Sequence, residues 1–167
     1  MRILGIDPGL AITGWGVIDS SHRGLTVVGY GSITTKPAVS QPERLFQLVR
    51  ELDILLDEYE PEVAAIEQLF FNRNVTSAFA VGQARGAMLV SLAQRKMPIN
   101  EYTPLQVKLS ITGNGRAPKT QVGFMVRALL GLTQVPKPDD TADALAIAIC
   151  HAAHAGNRLQ RAVEVQS

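Results

Sequence analysis

Hydrophobic positions along the chain change period several times, and each change marks an element. Arg2 to Ile6 is a short β-branched run closed by Asp7-Pro8-Gly9, and two further strand-like stretches, Ile12 to Ile18 and Leu25 to Thr35, follow across polar, Gly-containing turns. Together they predict an antiparallel meander. From Pro42 to Tyr59 the apolar residues Leu45, Leu48, Leu52, Leu55 and Leu56 fall at helical spacing with charges between them, and Pro42 suits a helix entry. Val63 to Leu69 reads as a fourth strand, and Val75 to Arg95 as a long Ala-rich helix interrupted only by Gly82 and Gly86. Two glycines at i and i+4 weaken a helix, which makes sense if that face approaches another backbone closely. Pro98 to Tyr102 is a fifth short strand, Leu105 to Ile111 and Thr120 to Leu130 are shorter helices, and a last helix starts near Asp140 and runs to about Ala155. Between the shorter helices, Gly113-Asn114-Gly115-Arg116-Ala117-Pro118-Lys119 is a glycine-rich, cationic loop expected to be mobile. The order predicts an α/β fold with a five-stranded mixed sheet flanked by helices. With no internal repeat or linker, residues 1–156 read as one domain and 157–167 as a flexible tail.

At 167 residues, 46% hydrophobic and 19% charged, the chain is an ordinary single domain with little room for a second. A core of this size buries roughly 70% of the unfolded surface, so stability alone requires no structural metal. Cys150 is the single cysteine, which excludes a disulfide framework or CxxC site and reads as a small buried thiol. No stretch approaches the roughly 20 apolar residues of a membrane span, and the N-terminus lacks a signal core, so a cytoplasmic protein is expected. The net charge of +1 conceals a strong asymmetry. Up to Leu69 there are ten acids against five bases; from Phe70 to Pro138 nine cations face Glu101 alone. A basic middle segment of this kind recruits phosphate backbones through counterion release.

Carboxylates stand where solvation alone does not predict them. Asp7 ends an apolar strand, although an Asp there also organises its own turn. Glu67 follows the inner-strand run Val63-Ala64-Ala65-Ile66, and Glu is seldom buried without a partner or a function. Asp140 and Asp143 share one side of a helical first turn, a pattern that capping also explains. The four acids come from three elements with no accompanying His or Cys cluster, and such hard oxygen donors select Mg²⁺ or Mn²⁺. Two divalent ions roughly 4 Å apart are the known arrangement for in-line phosphodiester cleavage. His151, eleven residues beyond Asp140 and so about 16 Å along a regular helix, cannot share its ion; His151 and His154 remain unassigned.

Gly5-Ile6-Asp7-Pro8-Gly9 followed by Thr13-Gly14-Trp15-Gly16, Ile66-Glu67-Gln68-Leu69-Phe70, Gly82-Gln83-Ala84-Arg85-Gly86, Gln106-Val107-Lys108 and Asp140-Thr141-Ala142-Asp143-Ala144-Leu145-Ala146 resemble, in order and over nearly the whole chain, the RuvC family of bacterial Holliday-junction resolvases. The resemblance implies an RNase H-like fold, a homodimer, and Mg²⁺-dependent nicking of two strands of like polarity at a four-way DNA junction. It implies association with a branch-migration helicase as well. Asp7, Glu67, Asp140 and Asp143 match the acidic tetrad, with two Mg²⁺ per site and Mn²⁺ as a substitute. Asp139 is an extra acid beside them that leaves a one-residue ambiguity. Lys108 and Lys119 match positions near the cleaved strand, where a cation steadies developing charge and gives Lys119 a catalytic role. Phe70 matches an aromatic at the junction crossover, and Phe71, Arg73, Asn74, Arg85 and Arg116 are further expected DNA contacts. The Gly82 to Gly86 helix is the expected dimer interface, since a two-fold junction asks for two sites at fixed separation; packing of the same helix on the chain's own sheet is the alternative.

Three other readings compete. Gly5 to Gly14 also suits the phosphate hairpin of an actin-like ATPase, although one domain leaves no second lobe to hold a nucleotide. A catalytically silent module for branched DNA would leave the acids unexplained, and a nuclease for RNA or ordinary duplex ends differs only in substrate.

Overall fold

The computed structural model describes residues 1–68 and 75–164. Strands β1 (Arg2–Asp7), β2 (Ile12–Ser21), β3 (Gly24–Thr34), β4 (Val63–Glu67) and β5 (Ile99–Tyr102) form one five-stranded sheet in the order β3-β2-β1-β4-β5. The hairpin-linked strands are antiparallel, whereas β4 lies parallel to β1 and β5 parallel to β4. That division follows from the connections. Turns join β1 to β2 and β2 to β3, while helices α1 (Gln41–Tyr59) and α2 (Val75–Gln94) carry the chain between the parallel strands.

Alternation along β1 sends Ile3 to one face of the sheet and Leu4 and Ile6 to the other, and each face has its own core. On the second face α1 buries Leu48, Leu52 and Leu56, each worth roughly 1.5–3 kcal/mol, together with Ala84, Met88 and Leu92 of α2. The two helices are also tied by Asp53, which accepts hydrogen bonds from Ser91 and Arg95. The first face is covered by α3 (Pro104–Thr112), α4 (Lys119–Leu129) and α5 (Asp139–Glu164), through Val107, Ile111, Val122, Val126, Leu145 and Ile149. α1 starts where Glu43 accepts from the Ser40 N–H and hydroxyl. α3 starts on a reciprocal pair, with the Gln106 N–H on Thr103 Oγ1 and the Thr103 N–H on Gln106 Oε1.

One end differs from the sequence expectation. α5 continues through Gly156 to Glu164, so the helix extends past Ala155 into the segment expected to be a flexible tail. A single Gly costs a helix only about 1 kcal/mol, and Leu159-Gln160-Arg161-Ala162 beyond it are good helix formers. No helix among the described residues is long and apolar enough to cross a membrane.

α5 lies across β1 and β2 because those strands present glycine to it. A Cβ at Gly5 would overlap the Ala144 carbonyl oxygen and one at Gly14 the Asp140 carbonyl oxygen. The absence of side chains there lets the first turns of α5 sit directly on the sheet. Thr141, fully buried, anchors the same turn by donating to the Gly31 carbonyl of β3 (3.1 Å).

Candidate active site

The C-terminal ends of β1 and β4 and the first turn of α5 meet at one edge of the sheet, and each brings acid. Asp7 is the last residue of β1 and Glu67 the last of β4. The following turn is fixed by Thr13, whose hydroxyl donates to the Gly9 carbonyl (2.6 Å) and accepts from the Gly9 N–H (3.2 Å). Asp143, Lys108 and Lys119 join Asp7 and Glu67 around a cleft of about 330 Å³, with Pro104, Val107 and Val122 as its apolar walls. Lys119 reaches across it, its Nζ donating to Asp143 Oδ2 at 2.7 Å. Asp140 acts on the same centre, since its charge reaches both Asp7 and Lys119.

The electrostatics are those of crowded acids. Burial first, then the charges of Glu67, Asp143 and Asp140, push the Asp7 carboxyl up to about 8, with Lys119 opposing. Glu67 is likewise raised, by burial and Asp143, while Lys119 and Lys108 pull it down. Lys119 is held in its charged form chiefly by its hydrogen bond to Asp143. Among the described residues no three His, Cys, Asp or Glu side chains already enclose one point as a metal cage. The donor chemistry nevertheless fits a hard divalent cation: Asp7 and the acids that act on it come from three elements, the cleft lining holds no imidazole or thiol, and Lys119 balances only part of their charge.

Asp139 and Asp140 have different surroundings. Asp139 is exposed and paired with Lys137 (2.5 Å), which holds its carboxyl below the usual range, and it is absent from the charges that act on Asp7. Of the cations expected on DNA, Lys108 and Lys119 line the cleft. Arg116 is exposed on the loop after α3, where its N–H donates to Asn114 Oδ1 (3.0 Å). Arg85 departs from expectation. Its side chain is only 14% exposed, pairs with Glu101 at 2.8 Å and donates from Nε to the Glu67 carbonyl at 3.2 Å, so its charge is already satisfied inside the fold. Phe70, Phe71, Arg73 and Asn74 lie outside the described residues.

Two signals for these pairings were available in the sequence. Lys119 is the first residue of α4, where the helix dipole disfavours a cation, so something else must hold it there. Glu101 is the lone acid among nine cations between Phe70 and Pro138.

The profile of the family described as crossover junction endodeoxyribonuclease RuvC matches residues 3–151. The chain belongs to the RuvC family. The crossover junction endodeoxyribonuclease RuvC of Alkaliphilus oremlandii is 56% identical over 157 residues, covering 94% of this chain and 95% of that one. The structure of Thermus thermophilus RuvC superposes with a TM-score of 0.86 at 37% identity, over 93% of this chain and 95% of that one. The same RuvC in complex with a Holliday junction substrate gives 0.85 at 35% identity, with the same coverage. The RNase H-like arrangement expected of RuvC relatives is thus the arrangement found, including its five-stranded mixed sheet.

Proposed function

We propose that this chain resolves four-way DNA junctions by cutting two strands of like polarity, each by metal-dependent hydrolysis that leaves a 5′-phosphate and a 3′-hydroxyl. The observation that carries the reading is the gathering of Asp7, Glu67 and Asp143 with Lys119 and Lys108 in one cleft, Asp140 acting from beside it. Asp7, Glu67, Asp140 and Asp143 would hold two Mg²⁺, or Mn²⁺ in their place. When bound, the ions supply an acidified water and neutralise both the phosphate and the departing 3′ oxygen. The side chains do the rest. Water attacks phosphorus as the bond to the 3′ oxygen breaks. Lys119, tethered by Asp143, can redirect its ammonium hydrogen bond from that carboxylate to a phosphate oxygen, and Lys108 offers a second cation across the cleft.

A homodimer is part of the proposal. Phe79 and Val90 of α2 are 68% and 58% exposed, Gly86 has open space where a side chain would be, and these positions share a helical face. A closed two-fold pair would set two clefts at the separation that paired cuts require. Association with a branch-migration helicase rests on the family resemblance.

The test is cleavage in Mg²⁺ of a synthetic four-way junction, a linear duplex of matched sequence and an RNA–DNA hybrid at fixed salt. Symmetric paired nicks in the junction alone are expected. Cutting of hybrid or linear duplex would overturn the substrate and keep the chemistry, whereas binding with no cutting in Mg²⁺ or Mn²⁺ would overturn both.

A further inference from the structure

The peptide group that follows Glu67 is held at both ends from outside its own strand. Its N–H, on Gln68, donates to the Tyr102 carbonyl of β5 at 2.8 Å. Its carbonyl, on Glu67, accepts from Arg85 Nε at 3.2 Å. The ladder between β1 and β4 ends at Ile6 and Ile66, and Pro8, just beyond the end of β1, has no N–H to offer. Arg85 thus fills a donor position that the sheet leaves open. Its guanidinium is fixed in turn by Glu101, opposite Ile66 on β5, through the 2.8 Å ion pair. A planar fork with one nitrogen on a carbonyl and another on a carboxylate is a task that arginine geometry suits.

We infer that Arg85 is a positioning residue: by clamping the Glu67–Gln68 peptide between α2 and β5, it sets where the Glu67 carboxylate stands in the cleft. This rests on reading Glu67 as a metal ligand. Two observations favour positioning over a direct electrostatic role or a DNA contact. The guanidinium is largely buried and neutralised by Glu101. The cations whose charge bears on Glu67 are Lys119 and Lys108, not Arg85. Its influence therefore passes through the backbone. Groups that orient metal ligands from behind typically cost about 10- to 100-fold in metal affinity or activity when removed.

The experiment compares Arg85→Gln, Arg85→Lys and Glu67→Gln with the unaltered protein by three readouts. These are Mn²⁺ binding followed by electron paramagnetic resonance without DNA, junction binding in chelator, and cleavage against Mg²⁺ concentration. Arg85→Gln is expected to weaken Mn²⁺ binding and raise the Mg²⁺ needed for half-maximal cleavage, each about tenfold. Junction binding in chelator should stay within about twofold, and Arg85→Lys, which keeps a donor and the charge, should recover part of the loss. Unchanged Mn²⁺ binding with weakened junction binding would overturn the inference and return Arg85 to the DNA surface. No change in either would overturn it equally. Glu67→Gln separates the two levels: if it leaves Mn²⁺ binding and cleavage intact, the reading of Glu67 itself fails, whereas a loss there beside a silent Arg85→Gln refutes the clamp alone. Should Arg85→Gln lose its cooperative thermal transition, Glu101→Gln takes its place. Glu101 is 42% exposed, so its loss leaves the core intact; at least a twofold weakening of Mn²⁺ binding is expected, and an unchanged value would overturn the inference.

Discussion

Asp7 pays for its position in the cleft with stability at neutral pH, because burial and three neighbouring acids push its carboxyl from 3.8 to about 8. A carboxyl raised in the folded state contributes stability that is fully present below its unfolded pKa and is lost as pH rises toward its folded one. In chelator, the protein should therefore weaken between about pH 4 and 8. Asp7→Asn should be more stable than the unaltered protein at pH 7.5 by about 1–3 kcal/mol, the difference closing below pH 4. Urea denaturation at stepped pH measures it; equal stabilities at pH 7.5 would contradict the crowding. The same substitution should abolish cleavage while junction binding survives, since it removes a proposed metal-ligating carboxyl but no cation. Fluorescence anisotropy beside a cleavage assay checks both, and joint loss would sink the assignment. Lys119→Ala should slow cutting more than it weakens binding, because Lys119 is tied to Asp143 in the cleft. Equal losses would make it an ordinary backbone contact.

At the scale of elements, α5 decides whether the acids meet. Its first turn lies on Gly14 closely enough that a Cβ there would strike the Asp140 carbonyl, and the hydroxyl of Thr141 pins it to β3. Gly14→Ala should cost roughly 1–3 kcal/mol by overpacking and reduce cleavage beyond what that loss of stability explains, as Asp140 is moved off Asp7. Denaturation midpoints read beside cleavage rates at low temperature test this. The elements themselves were legible in the sequence. Leucines 48, 52 and 56 announce α1, and the β-branched run into Asp7 announces β1. Asp7 and Glu67 stood out too, because carboxylates at strand ends violate local expectation, whereas Asp140 and Asp143 at a helix start read equally as caps. Direction was not legible. Nothing in the local pattern says that Arg85 turns inward to β5, or that Asp139 pairs with Lys137 while the charge of Asp140 acts on Asp7. Those outcomes depend on which residues the sheet brings opposite one another, and spacing within one helix does not carry that information.

For the whole molecule, the exposed face of α2 and the cleft are joined through the same helix, which presents Phe79 and Val90 outward and reaches Glu67 with Arg85 inward. Val90→Glu should shift sedimentation from dimer toward monomer and convert paired nicks into single, uncoordinated ones. A dimer that survives the substitution would direct attention away from α2. The cleft also has an order of assembly in time. Asp7 and Glu67 precede Asp140 by 133 and 73 residues, and the later pair joins them only when α5 has settled across β1 and β2. A ribosome still translating α4 therefore carries a fragment with two acids of the four. On the proposed role of these acids, such a fragment lacks half of its metal ligands, and cleavage waits until synthesis has passed the first turn of the last helix.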